Sequence, residues 1–219
     1  MNIQQTIIKF PELELLTRDA HKLRGFFGNF FKDESPLLHN HYNDGTFRYK
    51  YPLVQYKVIN RMPYLIGLGE GAELLNNLFL KINQIVIDDT TYMINAKNIK
   101  TSLEDINVHN KQNFYNFVTL WMALNQKNFR IYINCINQLE KEKMLENILI
   151  GNLLSFYKTF NYNVNEKILV KLIFEEKDVK YKSQNMVGLK VSFTTNAELP
   201  NYVGIGKSVS RGFGTILRM

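Results

Sequence analysis

The sequence predicts an α+β fold made of two tandem ferredoxin-like (βαββαβ) domains with antiparallel sheets. Three observations carry the prediction. The first hundred residues read as strand, helix, strand, strand, helix, strand; a second, looser version of that order follows; and no Pro/Gly/Ser-rich linker lies between them. The two domains would therefore abut directly, as residues 1–105 and 106–219. Their boundary is expected near residues 100–112, where TSLEDINVHN is polar and weakly patterned.

The elements follow in order. Residues 2–9, NIQQTIIK, are β-branched and half alternating, which reads as a strand. Thr17 opens a helix with Asp19 in its first turn, and Leu23, Phe26, Phe27, Phe30 and Phe31 line one apolar face. Residues 47–59 alternate aromatic and basic side chains and then turn apolar. A turn at 60–63 and the run YLIGLG complete a hairpin. EGAELLNNLFLKI over 70–82 is an amphipathic helix, and 84–99 closes the first unit as extended chain. In the second unit, 114–123 and 129–135 read as strands and 139–157 as a long helix, with 168–174, 186–193 and 214–217 as further strands.

Composition narrows the class. A chain of 219 residues with 45% hydrophobic residues can build a real core, which excludes a disordered or collagen-like protein. No window approaches a transmembrane span, and MNIQQTIIKF has no secretory pattern, so a cytoplasmic protein without membrane association is expected. A single cysteine, Cys135, excludes a disulfide framework or a Cys-based zinc site and reads as a small buried thiol in a strand. The charge is lopsided. Residues 1–110 hold 12 Lys/Arg and 12 Asp/Glu, whereas 111–219 hold 15 and 8, so the whole net +7 lies in the C-terminal half. A one-sided positive field suits a polyanion such as nucleic acid.

The most informative string is GIGKSVSRGFG over 204–214. Gly204, Gly206, Gly212 and Gly214 allow close approach of the backbone, while Lys207, Ser208, Ser210 and Arg211 supply cations and hydroxyls for phosphate oxygens. It matches neither the P-loop nor the dinucleotide fingerprint, because no glycine stands at the required spacing and no helix or downstream acid follows. The bland alternative is a flexible surface loop. A second string, FRYKYPLVQYKVINRMPYLIGLGEG over 47–71, alternates rings with Arg48 and Lys50, which would contact RNA or simply face solvent.

Together these two strings resemble the hallmarks of the CRISPR repeat-processing endoribonucleases. That family belongs to the RAMP superfamily of tandem ferredoxin-like, RRM-like RNA-binding proteins. The first string resembles the C-terminal glycine-rich signature of the family, and the second the N-terminal hallmark of an archaeal and low-GC bacterial branch. The resemblance covers essentially the whole chain. It implies metal-independent cleavage of precursor CRISPR RNA within each repeat, releasing mature guide RNAs with 2′,3′-cyclic phosphate and 5′-hydroxyl ends and needing no cofactor. It also leaves room for association with other subunits of a CRISPR effector complex or as a homodimer.

The residues offer chemistry of the same kind. His39 and His41 form a His-Asn-His triplet in the loop-like SPLLHNHYNDGT. Only Asp33, Glu34 and Asp44 stand near enough in sequence to complete a metal shell, so metal binding is disfavoured. Imidazoles near neutrality suit general acid–base work on an RNA that carries its own 2′-hydroxyl nucleophile. Lys32 is placed to stabilise charge on the phosphorane, and Tyr49 to add a hydroxyl donor. The resemblance implies a catalytic set of His41 first, then His39, with Lys32 and Tyr49 contributing. His21 reads as a surface residue and His109 as incidental in the inter-domain stretch. Two rival functions stand: a non-catalytic RAMP subunit that binds processed RNA in a larger complex, and a ferredoxin-like regulator that binds a small anion.

Overall fold

The structure is a computed structural model that describes residues 1–31, 37, 51–181 and 184–219. The chain folds as two compact units. One comprises residues 2–105 with Val209–Gly212, the other Met1, residues 106–208 and Phe213–Met219.

The first unit runs β1 (Asn2–Lys9), α1 (Ala20–Phe30), β2 (Val54–Ile59), β3 (Met62–Leu68), α2 (Glu70–Leu78), β4 (Gln84–Ile87), β5 (Thr90–Met93) and β6 (Asn98–Asp105). Its main sheet has the order β2-β3-β1-β6, every pair antiparallel. The β2–β3 hairpin closes over Asn60 and Arg61, both at positive φ as a two-residue hairpin turn requires. A 3-10 turn, Thr17–Asp19, leads into α1, where the Asp19 carboxylate accepts the Leu16 N–H at 3.0 Å. Leu23, Phe27 and Phe31 recur four apart, so α1 buries one stripe against Tyr56, whose ring stacks on Phe27 at 5.8 Å. Phe30, expected on that buried face, is 44% exposed because it follows Phe27 by three positions at the stripe's edge. Leu75 and Leu78 of α2 close the same core.

Of residues 84–99, only Asn98 and Ile99, which begin β6, join this sheet. The stretch before them holds β4 and β5, a separate two-stranded hairpin, and the closing strand is β6. The stretch expected to be a loose boundary is thus two strands, β6 and then β7 (Asn107–Phe117). β6 is an edge strand with mostly exposed side chains, so its polar sequence carries no apolar pattern to read.

The second unit continues from β7 through α3 (Gln126–Asn134), α4 (Gln138–Thr159), β8 (Val170–Tyr181), β9 (Gln184–Glu198) and β10 (Ile216–Arg218). Its sheet has the order β10-β7-β9-β8, again fully antiparallel. Counting only its own strands, this is the order of the first unit, so both are ferredoxin-like. Between β9 and β10, however, the chain has no second long helix, only the 3-10 turn Val209–Arg211. Leu145, Leu149, Leu153 and Phe156 of α4 are fully buried, as a four-and-three spacing demands. The strand expected at 129–135 is helical and belongs to α3, and the one expected at 114–123 ends at Phe117. Cys135 is accordingly a half-buried helix C-cap, not a buried strand thiol. No helix among the described residues is long and apolar enough to cross a membrane.

Candidate functional site

The glycine-rich segment is a pinned structure. On one side Tyr202, Val203 and Ile205 hydrogen-bond the backbone of Gly214 and Ile216, and Gly204 bridges to Thr215. The Lys207 N–H donates to the Met122 carbonyl at 3.2 Å, and the Gly214 N–H to Leu120 at 2.9 Å. Gly206, at φ +105°, lies against the Trp121 ring: a Cβ there would sit 2.5 Å from the indole nitrogen, which itself donates to Asn152 at 3.2 Å. These glycines serve close packing of the segment on its own unit. The polar groups between them divide. Lys207 and Ser208 are exposed, Arg211 is half-buried, and Ser210 is buried. Partial desolvation draws the Lys207 amine below its ordinary value.

The turn Val209–Gly212 packs within the first unit. Gly212 abuts Ala20 at the start of α1, and the Val209 carbonyl accepts the Lys57 Nζ of β2 at 2.9 Å. Lys57 is wholly buried, and burial pulls its amine down to about 7. Sequence reasoning passed over it, because one cation in an alternating strand reads as solvent-facing.

Lys32, His39, His41, Arg48, Tyr49 and Lys50 lie outside the described residues. The elements flanking them are α1, which ends at Phe30, and residues 51–53 leading into β2. At that second border the Tyr51 hydroxyl accepts from the Gln55 amide at 2.8 Å, and burial raises the phenol. The other two histidines have structural partners: His21 Nδ1 lies 2.6 Å from the Arg18 carbonyl, and His109, within β7, pairs with Glu198 at 3.2 Å. Among the described residues no three His, Cys, Asp or Glu side chains gather to hold a metal.

Comparison with known proteins bears on both halves. The model of the Cas6b N-terminal domain matches residues 1–105, and that of the Cas6b C-terminal domain residues 107–219. The chain belongs to the Cas6b family. A crystal structure of Cas6b superposes over the whole of both chains with a TM-score of 0.95 at 39% identity. A second, described as the CRISPR RNA processing endoribonuclease Cas6b, does so with a TM-score of 0.81 at 36% identity. An uncharacterised protein of Methanocaldococcus jannaschii is 34% identical over 146 residues, which is 66% of this chain and 99% of that protein. A type IV Cas6 CRISPR RNA endonuclease shares the fold at 10% identity, with a TM-score of 0.59. The Cas6b C-terminal match spans the glycine-rich segment, and the N-terminal match spans the histidine triplet and Lys57.

Proposed function

We propose that this chain is a metal-independent endoribonuclease that cuts precursor CRISPR RNA within its repeats and releases mature guide RNAs. The observation that carries the reading is the end-to-end match to Cas6b, together with full-length likeness to a CRISPR RNA processing endoribonuclease at 36% identity. In the proposed reaction the 2′-oxygen attacks the adjacent phosphorus and the bond to the 5′-oxygen breaks, leaving a 2′,3′-cyclic phosphate and a 5′-hydroxyl. His41 and His39 divide the proton work: one takes the 2′-hydroxyl proton, the other protonates the leaving 5′-oxygen. Lys32 offsets the charge that builds on the phosphorane, and Tyr49 donates a hydrogen bond to it. The cations and hydroxyls of residues 204–214 hold the RNA backbone, with Arg48 and Lys50 adding phosphate contacts.

The test is incubation of the purified protein with the repeat RNA of its own genomic locus in excess EDTA, beside the His39→Ala/His41→Ala double variant. One cut with a cyclic-phosphate end, slowed at least ~100-fold in the variant, is expected. Tight, salt-sensitive binding without any cut would replace this reading with a non-catalytic RNA-holding subunit. Neither binding nor cutting would leave the fold without an RNA function.

A further inference from the structure

The amine of Lys57 is placed where a hydrocarbon would be cheaper. All six residues of β2 are buried, and Lys57 has no exposed surface. Its strand partner on β3 is Tyr64, and its side-chain hydrogen bond runs to the Val209 carbonyl at 2.9 Å. Among the described residues no charged group offsets its burial, and desolvation draws its amine down to about 7. An amine taken out of water with one acceptor among the described residues is a net cost that a leucine or methionine would avoid. That cost marks a requirement for the amine itself, and the atom it touches says what the requirement is.

Val209 opens the 3-10 turn Val209–Arg211 and also receives the Gly212 N–H at 3.4 Å. The turn lies flush on the unit beneath it. Gly212, at φ +95°, leaves no room for a side chain, since a Cβ would stand 2.6 Å from the Ala20 methyl. Ser210 is buried, and Arg211 is half-buried. One fixed carbonyl and one missing Cβ thus hold the turn Val209–Gly212 against β2 and α1.

We propose that Lys57 is a positioning residue for RNA binding: its buried amine ties the Val209 carbonyl to β2 and so holds the turn Val209–Gly212, and Arg211 with it, in place for the RNA backbone. This rests on the reading that residues 204–214 contact RNA. Lys57 itself touches no RNA; it acts through the turn. Losing its hydrogen bond lets the turn lift away, and affinity falls while the chemistry at the cut site is unchanged.

The test uses the full chain and the repeat RNA of its own locus, with a 2′-deoxy residue at the cut position so that binding is read alone. Lys57→Met, Arg211→Ala and the double variant are compared by RNA affinity and by cleavage of unmodified RNA at saturation. Lys57→Met is expected to weaken binding about tenfold, the scale of one buried hydrogen bond, with the saturated cleavage rate within about twofold of the wild type. Because both residues act through one turn, the double variant should bind no more weakly than about the weaker single variant. A purely structural role would lower the active fraction without moving the affinity. If Arg211→Ala weakens binding and Lys57→Met does not, or if the two losses add fully, the proposal falls and the RNA reading stands. If neither substitution moves the affinity, the assignment of residues 204–214 to RNA fails as well. Should Lys57→Met lose cooperative unfolding, Lys57→Gln is scored the same way. A chain that folds with neither makes Lys57 a demand of the core, which also overturns the proposal.

Discussion

Gly206 and Lys57 show what single residues contribute, and how differently they read from sequence. The four glycines of residues 204–214 signal a backbone that must approach something closely, and that much is legible from composition. Their neighbours are not legible, because Trp121 and Ala20 come from distant parts of the chain. Gly206→Ala should destabilise the fold by ~1–3 kcal/mol, since the new methyl meets the Trp121 ring at a positive φ. Urea unfolding followed by the fluorescence of Trp121, the one tryptophan, reads this directly; an unchanged midpoint would contradict it. Lys57 gives a pH signature. Its folded-state value is about 7 against 10.5 when unfolded, so between those limits the unfolded chain binds the extra proton and stability rises with pH. Below 7 both states carry the charge and its burial cost is borne in full. The stability difference between the wild type and Lys57→Met should therefore grow in favour of the wild type from pH 7 to 9.5, by at most about 1.4 kcal/mol per pH unit. Other titrating groups cancel in that difference, and a flat difference would place the amine in water.

At the scale of elements, the sequence was readable wherever one face of an element is apolar. α1, α2 and α4 bury a periodic stripe, while β1 and the β2–β3 hairpin read as strands from their β-branched and apolar residues and are buried almost throughout. The misreadings share a cause. In α3, Phe129, Ile131 and Ile133 alternate with polar or ring-bearing neighbours as a strand would, yet Ile131 and Ile133 are more than half exposed and Tyr132 is the residue that is buried. Tyr132 donates to Glu176 at 2.6 Å and carries Lys141 over its ring at 4.6 Å, so its burial is set by partners on β8 and α4 rather than by the local pattern. The start signal that could have identified α3 is Asn125, whose side chain accepts the Asn128 N–H at 2.7 Å. Asn125→Ala should cost ~0.5–2 kcal/mol, with a matching loss of amide protection in α3, while Asn137→Ala should fray the start of α4 instead. Equal protection in α3 with and without the Asn125 side chain would show that packing alone starts this helix.

Across the whole chain, one strand order is used twice, and the second use has exchanged its second helix for the glycine-rich stretch between β9 and β10. A helix N-terminus is one way to present donors to phosphate; a pinned glycine-rich strap with cations is another. The charge distribution follows the exchange, since the net +7 arises after residue 110. Of the 15 cations there, Lys141, Lys171, Lys177 and Arg218 each pair with a glutamate, which leaves the net excess to other side chains. Lys207 is exposed on the strap itself. If this half neutralises RNA phosphates, the logarithm of affinity should fall linearly with the logarithm of salt, with a slope of roughly −2 to −5 for a single strand. Lys207→Ala should weaken binding and make that slope shallower by about 0.7, the share of one phosphate. The catalytic double variant at His39 and His41 should leave the slope untouched. Titrations from 50 to 300 mM salt, roughly the range over which phosphate contacts are lost, separate the cases. A flat slope would mean that affinity comes from bases rather than backbone, and that the basic half of the chain has another purpose.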